Sequence, residues 1–284
     1  MAFRGFSQLA QAVATDGQEW LSFFRKSAPA ASARWVDGSV GSGIPLYNAY
    51  VGAQLEATAL TGVGNAGIYT GPAPAAGEQK YLHALQVLSS AASVPNYLLL
   101  ADYLLFYPLL DGDNADEQVM TNAVSLPRYA SGDGVQCMVV TQVPNIAAGT
   151  MTVSYTNQAG VSGRSTTFGL ASSAVIGALA NTSSAVNAAS ATGPFIPLQS
   201  GDRGIRSIES ATISGAPSGF YNLVLVKPIT GLQLREVSTA AEKVMLPNSG
   251  TMPEILPGAY LNFLVNNGGA SAPLFQGFLQ FVWG

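Results

Sequence analysis

The stretch TMTVSYTNQAGVSGRSTTF, residues 150–168, decides the fold class. Met151, Val153 and Tyr155 alternate with Thr and Ser, which is the two-residue period of a strand with one buried face. The letters NQAG supply turn residues, and Gly163–Phe168 predicts the return strand of a hairpin. This part of the chain is therefore predicted to be β-sheet.

Further strands follow the hairpin, separated by turns rich in Gly, Pro and Asn. Phe220–Val226 is apolar on both faces, as a central buried strand is. The segment 261–265 alternates, NNGGASAP predicts a turn, and Phe275–Trp283 predicts the strand that returns from it. We therefore predict a mainly β protein with a jelly-roll-like β-sandwich over residues 95–284.

Two segments nearer the N-terminus show helical spacing instead. Apolar residues recur at three- and four-residue steps from Phe6 to Phe24, which predicts an amphipathic helix in an N-terminal arm of residues 1–28. Gly17 weakens the middle of this helix. Glu78–Ala91 predicts one further short helix, ended by Pro95, within a Gly-rich region of residues 29–94.

The charge content is low for a chain of 284 residues. Charged residues make up 10% and hydrophobic residues 48% of the sequence, and the net charge is −4, whereas about 25% charged residues is typical. Few charges lose water when such a surface is buried. The composition favours a subunit whose surface is covered by neighbours over the alternative, a neutral Ala-rich globular protein.

Neither nucleic acid nor a membrane is expected as a partner. The Lys and Arg residues are scattered, and nucleic-acid binding needs clustered cations. The longest apolar run, Tyr97–Leu110, contains Asp102 and Pro108 and is shorter than the ~20 residues of a spanning helix. The first twenty residues also lack the continuous apolar region of a signal peptide.

No catalytic residue and no cofactor is predicted. The single histidine, His83, and the single cysteine, Cys137, have no recognisable partners, and Cys137 lies in an apolar run typical of a buried thiol. Gly62, Gly64 and Gly67 match the spacing of a dinucleotide-binding loop, but the helix that this loop needs does not follow them.

Two polar loops are candidate binding sites, and no metal site is predicted. Asp111–Glu117 is a conceivable cation site, although it lacks the EF-hand pattern and is also typical of a solvated turn. The segment with Asp202, Arg203 and Arg206 is either a ligand-binding loop or a turn at Gly201–Gly204, in which Arg203 or Arg206 pairs with an acid across an interface. The second interpretation is preferred, because a polar loop alone names no chemistry.

Four strings point to a family. They are YLLLADYLLFYPLLDGDNADEQ (Tyr97–Gln118), LPRYASGDGVQ (Leu126–Gln136), VSYTNQAGVSGRSTTF (Val153–Phe168) and PLQSGDRGIRSIES (Pro197–Ser210). The chain in this respect resembles the virion structural proteins of tailed bacteriophages. The resemblance implies a particle component, namely a capsid decoration (cement) protein, a minor capsid protein or a tail component, assembled in the host cytoplasm. A major capsid protein is not favoured, since its long charged spine helix is not predicted.

A decoration protein that stabilises the shell is the favoured function, and a non-enzymatic one. The alternative is a receptor- or carbohydrate-binding β module of a tail or head fibre. Its sugars would stack on aromatic residues in loop-like segments: Trp35, Tyr47, Tyr50, Tyr69 and Tyr129. A hydrolase is disfavoured because no acid–base pair is recognisable.

The predicted partners are copies of this chain, as a trimer, and other virion subunits such as the major capsid protein. The predicted contact residues form the apolar face of the first helix: Phe6, Leu9, Val13, Trp20 and Phe24. Fully burying each large side chain is worth about 1.5–3 kcal/mol. The alternative is that this helix packs on its own sandwich.

Overall fold

The computed structural model describes residue 3 and residues 5–31, 33–62, 67–90, 95–183, 193–247, 252–268 and 272–284. The fold is mainly β, with several antiparallel sheets and one α-helix among these residues. The elements in chain order are α1 (Phe6–Ala14), β1 (Glu19–Ser27), β2 (Arg34–Asp37), a 3-10 turn (Gly38–Val40), β3 (Gly43–Ile44), β4 (Thr58–Ala59), β5 (Lys80–Ser89), β6 (Asn96–Asp111), β7 (Gln118–Val119), β8 (Gln136–Val143), β9 (Gly149–Asn157), β10 (Arg164–Leu170), β11 (Ile205–Ser214), β12 (Phe220–Leu234), β13 (Ala241–Val244), β14 (Leu261–Asn267) and β15 (Leu274–Trp283).

The strands form three sheets. The six-stranded sheet has the order β2-β14-β6-β12-β8, and β4 adds to β6. The five-stranded sheet has the order β13-β5-β15-β1-β3, and the four-stranded sheet has the order β10-β9-β11-β7. The five-stranded sheet thus contains strands from all three ranges 1–28, 29–94 and 95–284.

The long strands β6 and β12 connect two hydrophobic cores. Near the start of β6, Leu98 and Leu100 pack in one core with residues of the five-stranded sheet. Further along β6, Leu105 and Tyr107 pack in a second core with residues of the four-stranded sheet. Because β6 is buried along both faces, its sequence is apolar without alternation.

A buried ion pair lies between these two cores. Asp102 stands in β6 between Leu100 of one core and Leu104 of the other. Its carboxylate accepts hydrogen bonds of 2.7 Å from both Nε and Nη2 of Arg128, and the side chains are 0% and 4% exposed. Arg128 Nη2 also donates to the carbonyl oxygens of Leu60 and Tyr103, so each charge has several partners.

The prediction of the hairpin at residues 150–168 is confirmed, because β9 pairs with β10 in antiparallel register. Phe220–Val226 is also confirmed as a buried central strand, since β12 lies between β6 and β8. The pairing expected after NNGGASAP is wrong, however. β14 belongs to the six-stranded sheet and β15 to the five-stranded sheet, so the two strands do not pair, and residues 269–271 of the predicted turn lie outside the described residues.

The prediction of a helix from Phe6 to Phe24, and with it a helical arm over residues 1–28, is wrong beyond Ala14. Gly17 takes a positive φ of 64°, and Glu19–Ser27 continues as strand β1. Trp20, Leu21 and Phe24 fit helical spacing by coincidence, because an aromatic-rich segment such as WLSFF is also a strong strand former.

The prediction of one further short helix at Glu78–Ala91 is wrong as well. Lys80–Ser89 of this segment forms β5, which runs between β13 and β15, and residue 91 lies outside the described residues. Leu82, Leu85 and Val87 are all fully buried. A strand that is buried on both faces has no strict alternation, and its apolar residues then mimic helical steps.

Candidate interaction surface

Large exposed apolar side chains gather beside one edge of the five-stranded sheet. Phe23 of β1 is 71% exposed and Ile44 of β3 is 65% exposed. The groove beside them has a volume of about 420 Å³. Its lining, as far as the described residues show it, is uncharged: Trp20, Leu21, Ser22, Phe23, Ile44, Pro45, Leu46, Gly67, Ile68 and Tyr69. Exposed apolar patches of this kind mark interaction sites.

The alternation of β1 explains why this strand serves both the core and the surface. Ser22, Phe24 and Lys26 are buried, whereas Leu21 and Phe23 are exposed. Phe24 packs on Phe263 of the six-stranded sheet, with ring centroids 5.0 Å apart. The inward side chains therefore fix the strand, and the outward side chains remain at the surface.

A buried lysine holds one wall of the groove. The ammonium Nζ of Lys26 donates hydrogen bonds to the carbonyl oxygens of Ser39 at 3.1 Å, Pro45 at 2.9 Å and Leu46 at 3.2 Å. Burial lowers the pKa of Lys26 to about 8, and the nearby charge of Asp37 counters this only in part. The three bonds tie an irregular segment to β1, so its apolar side chains project from a fixed backbone.

A second buried lysine holds the segment beside the opposite wall. Lys80 Nζ, at the start of β5, donates to the carbonyl oxygens of Thr70 at 2.8 Å and Pro72 at 2.5 Å. It also lies 5.2 Å from the centre of the Trp283 ring. Burial lowers the pKa of Lys80 to about 8. Tyr69, which lines the groove, directly precedes this pinned segment.

A buried carboxylate fixes the same region from the six-stranded sheet. Asp37 accepts hydrogen bonds from Tyr50 OH at 2.5 Å, Tyr103 OH at 2.8 Å, and both the amide and the hydroxyl of Ser39 at 2.8 Å. Burial raises the pKa of Asp37, and the hydrogen bonds counter this in part. Asp37 thus links β6 to the segment that carries the wall residues.

The five residues predicted as contacts occupy different environments. Leu9 is buried against Tyr81 and Val282 of the five-stranded sheet, and Phe24 is buried in the core described above. Phe6 and Trp20 are exposed, but only Trp20 lines the groove. Val13 is half-buried beside Leu9. The structure does not bring these five side chains onto one face.

The aromatic residues predicted to stack on sugars also separate into two groups. Tyr50 is buried, and Trp35 and Tyr129 are half-buried. Tyr47 and Tyr69 are exposed, and Tyr69 makes an edge-on ring contact with Trp20 at 5.5 Å.

The single histidine and the single cysteine have structural surroundings. His83 lies in β5 with Nδ1 3.0 Å from the carbonyl oxygen of Met245. Cys137 is buried and free in β8, and burial raises the pKa of its thiol. Of the three glycines that match the spacing of a dinucleotide-binding loop, Gly62 and Gly67 are described, and Gly64 lies outside the described residues.

The acidic loop is a turn organised by its own hydrogen bonds, whereas the loop at Asp202 is held by side chains of β9 and β10. In the acidic loop, Asp111 Oδ1 accepts from the amide of Asp113. Asp202 accepts from Arg164, Tyr155 and Asn157. Burial alone would raise the pKa of Asp202, but these hydrogen bonds outweigh it and lower the pKa. Across the described ranges, no three His, Cys, Asp or Glu side chains are placed to share a metal ion.

Sequence reasoning missed most of the groove. Its walls come from three separate segments, 20–23, 44–46 and 67–69, and only Trp20 and Tyr69 were singled out beforehand. The one available signal was the two-residue alternation of WLSFFRK, in which Leu21, Phe23 and Arg25 share a face.

No protein-family model, curated protein or solved structure significantly matches this chain. Among the described helices, none combines the length and hydrophobicity required to cross a membrane. The geometry of the surface therefore carries the functional argument.

Proposed function

We propose that this protein is a structural subunit of a bacteriophage particle, a capsid decoration or cement protein that stabilises the shell through contacts between subunits. The observation that carries the proposal is the uncharged groove beside β1. Its walls are held by Lys26 and by the segment pinned to Lys80. A surface that is both apolar and fixed in place loses little conformational freedom on binding.

The groove fits a protein partner. Interface centres are depleted in charge and enriched in aromatic residues, and the groove has the same composition. Burying a large side chain fully is worth about 1.5–3 kcal/mol, and Phe23 and Ile44 start largely exposed. The partners in this proposal are other copies of the chain and virion subunits such as the major capsid protein, with the virion as the location.

The finer description of the fold belongs to the same proposal. We assign the sheets to a jelly-roll-like β-sandwich, because the six-stranded sheet shares one core with each of the two smaller sheets. The strings that resemble tailed-phage virion proteins lie mainly in and beside β6, β9, β10 and β11. These strings support the proposal of a particle component, and they identify no site residues.

A glycan-binding module of a fibre is the second candidate. The exposed Tyr47 and Tyr69 favour it, because aromatic rings stack on sugars. A glycan array with the intact protein separates the two candidates. Saturable binding of one glycan class that Tyr69→Ala abolishes would support the fibre module, and a silent array supports the structural subunit.

Self-association tests the main proposal directly. We expect the intact chain to form oligomers in sedimentation velocity at micromolar concentration, and Ile44→Asp to weaken them at least about tenfold, since a buried charge opposes docking. Ile146→Asp is the matched control, because Ile146 is 86% exposed and lies between β8 and β9. A chain that remains a monomer, or an equal loss in both variants, contradicts the role given to the groove.

A further inference from the structure

The edge of β1 beside the groove is open. β1 pairs with β15 along its whole length, from Glu19 to Ser27. On its other side β3 pairs only with Arg25 and Lys26. For Glu19–Phe24, no strand within the described ranges occupies that side. An open edge presents a row of backbone donors and acceptors that another strand can use.

The neighbouring hydrogen bonds show which backbone groups face the groove. The amide of Ala28 donates to Pro273 at 2.9 Å, on the β15 side, and the amide of Ser27 donates to Ser42 at 2.9 Å, on the β3 side. Hydrogen-bonding direction alternates along an antiparallel strand. The N–H and C=O groups of Leu21 and Phe23 therefore point into the groove, away from β15.

We infer that a second copy of this chain occupies the edge, with β1 pairing antiparallel to β1 of the partner across a two-fold axis at Leu21. This contact joins two copies and replaces the trimer expected from the sequence. This inference rests on the proposed function and specifies its contact. Leu21 then lies opposite Leu21 of the partner, and Phe23 opposite Glu19 of the partner. The odd-numbered residues that face the groove exchange hydrogen bonds, and two five-stranded sheets become one continuous sheet.

The length of the open edge matches this pairing. The open edge ends at Arg25, because Arg25 pairs with Ile44 of β3. In the proposed register the partner strand reaches that boundary at its own Gly17, where a positive φ of 64° turns the chain away. A two-fold axis at Ser22 would instead place Glu19 of the partner at the position that Ile44 already fills.

The charges at the two ends of the strand are complementary in this register. Glu19 and Arg25 are both exposed on the outer face. Glu19 of the partner lies opposite Phe23, which makes it a diagonal neighbour of Arg25 on the same face, within reach of long side chains. The two-fold axis repeats this contact, so each copy contributes one acid and one base.

Cysteine cross-linking tests the register. In Leu21→Cys the two engineered thiols lie on residues about 5.5 Å apart between Cα atoms, within the range of a disulfide. In the matched variant Phe23→Cys they are four residues out of register, about 14 Å apart. Under mild copper–phenanthroline oxidation, at a protein concentration at which sedimentation velocity shows both variants associated, we expect Leu21→Cys to form covalent dimers at least about tenfold faster than Phe23→Cys. Cys137 is buried and serves as a common background.

Amide hydrogen exchange provides a second measurement that needs no cysteine. The amides of Leu21 and Phe23 should exchange rapidly in the Ile44→Asp variant and be protected in the associated wild-type protein. Equal cross-linking of the two cysteine variants, or unprotected amides in a protein that associates through the groove, overturns the strand pairing and leaves the proposed function intact. Absence of any self-association overturns both.

Discussion

The outer faces of the two smaller sheets differ in chemistry. On the four-stranded sheet, hydroxyl groups bond to one another and to a carboxylate. Thr152 and Thr167 are joined at 2.8 Å, and Glu209 accepts from Ser154 and Thr156 at 3.0 and 2.7 Å. On the five-stranded sheet, Phe23 contacts Phe278 with ring centroids 6.1 Å apart, beside the groove.

The ionisable groups also differ between the end of the molecule that carries the four-stranded sheet and the end that carries the five-stranded sheet. At the four-stranded end, hydrogen bonds from Thr156, Gly163 and Ser154 lower the pKa of Glu209 against the opposing effect of burial. At the five-stranded end, burial lowers the pKa of Lys26 and Lys80. The polar side chains on the four-stranded sheet thus bond to one another. Beside the five-stranded sheet, buried lysines instead fix the backbone segments that carry the apolar side chains of the groove.

The largest expected effect tests the buried ion pair that lies between the two cores. Arg128→Met removes one member of the buried pair between the cores and leaves the Asp102 carboxylate uncompensated. We expect the free energy of unfolding to fall by about 3–5 kcal/mol, measured by urea unfolding followed by circular dichroism. The control Arg203→Ala breaks an exposed pair with Asp133 and should cost less than about 1 kcal/mol. Similar losses in both variants would contradict the role given to the buried pair.

The next effect separates the inner and outer faces of β1. Phe24→Ala empties a buried site and should destabilise the protein by about 3–5 kcal/mol. Phe23→Ala alters a side chain that is largely exposed, and it should change stability by less than about 0.5 kcal/mol while weakening self-association. Thermal unfolding and sedimentation velocity measure the two properties. A Phe23→Ala variant that unfolds as easily as Phe24→Ala would show that Phe23 belongs to the core.

The effect that is smallest per measured step is a dependence of stability on alkaline pH. The pKa of Lys26 and Lys80 is about 8 in the folded protein, against an ordinary value of 10.5. Above pH 8 the unfolded chain binds more protons than the folded chain, so stability should rise with pH by up to about 1.4 kcal/mol per pH unit for each lysine. The rise should end near pH 10, where unfolded tyrosines ionise and the buried Tyr103, whose pKa is raised by burial, does not.

Urea unfolding at pH 7.5, 8.5 and 9.5 measures this slope. Lys26→Met should remove the part of the slope that one buried lysine contributes. Lys243→Met alters an exposed lysine and should leave the slope unchanged. A slope that falls with pH in this range, or one that Lys26→Met does not alter, contradicts the burial of a charged ammonium beneath the groove wall.

The sequence predicts the four-stranded end far better than the five-stranded end. The hairpin of β9 and β10 has one buried face, so its alternation is visible in the letters themselves. β5 is buried on both faces, and its apolar residues imitate helical steps. In β1 the strand period competes with a chance helical spacing, and Gly17 is the only local sign of the boundary between α1 and β1.

The groove lies beyond sequence reasoning for a different reason. Its walls are three segments separated by some twenty residues each, and their proximity depends on long-range pairing. The lysines that hold the walls carry no motif, since a single ammonium bound to carbonyl oxygens of a loop leaves no spacing to recognise. The low charge content, by contrast, follows directly from the composition, and the lining of the groove is uncharged as well.

The side-by-side course of β6 and β12 has a mechanical consequence. The five-stranded sheet packs near one end of this pair, against Leu98 and Leu232, and the four-stranded sheet packs near the other, against Tyr107 and Leu223. A force that pulls the two smaller sheets apart therefore runs along both strands in parallel, and their covalent backbones carry it without loading the hydrogen bonds between them. The side-chain packing that holds a smaller sheet to the pair then yields before the ladder of β6 and β12 does.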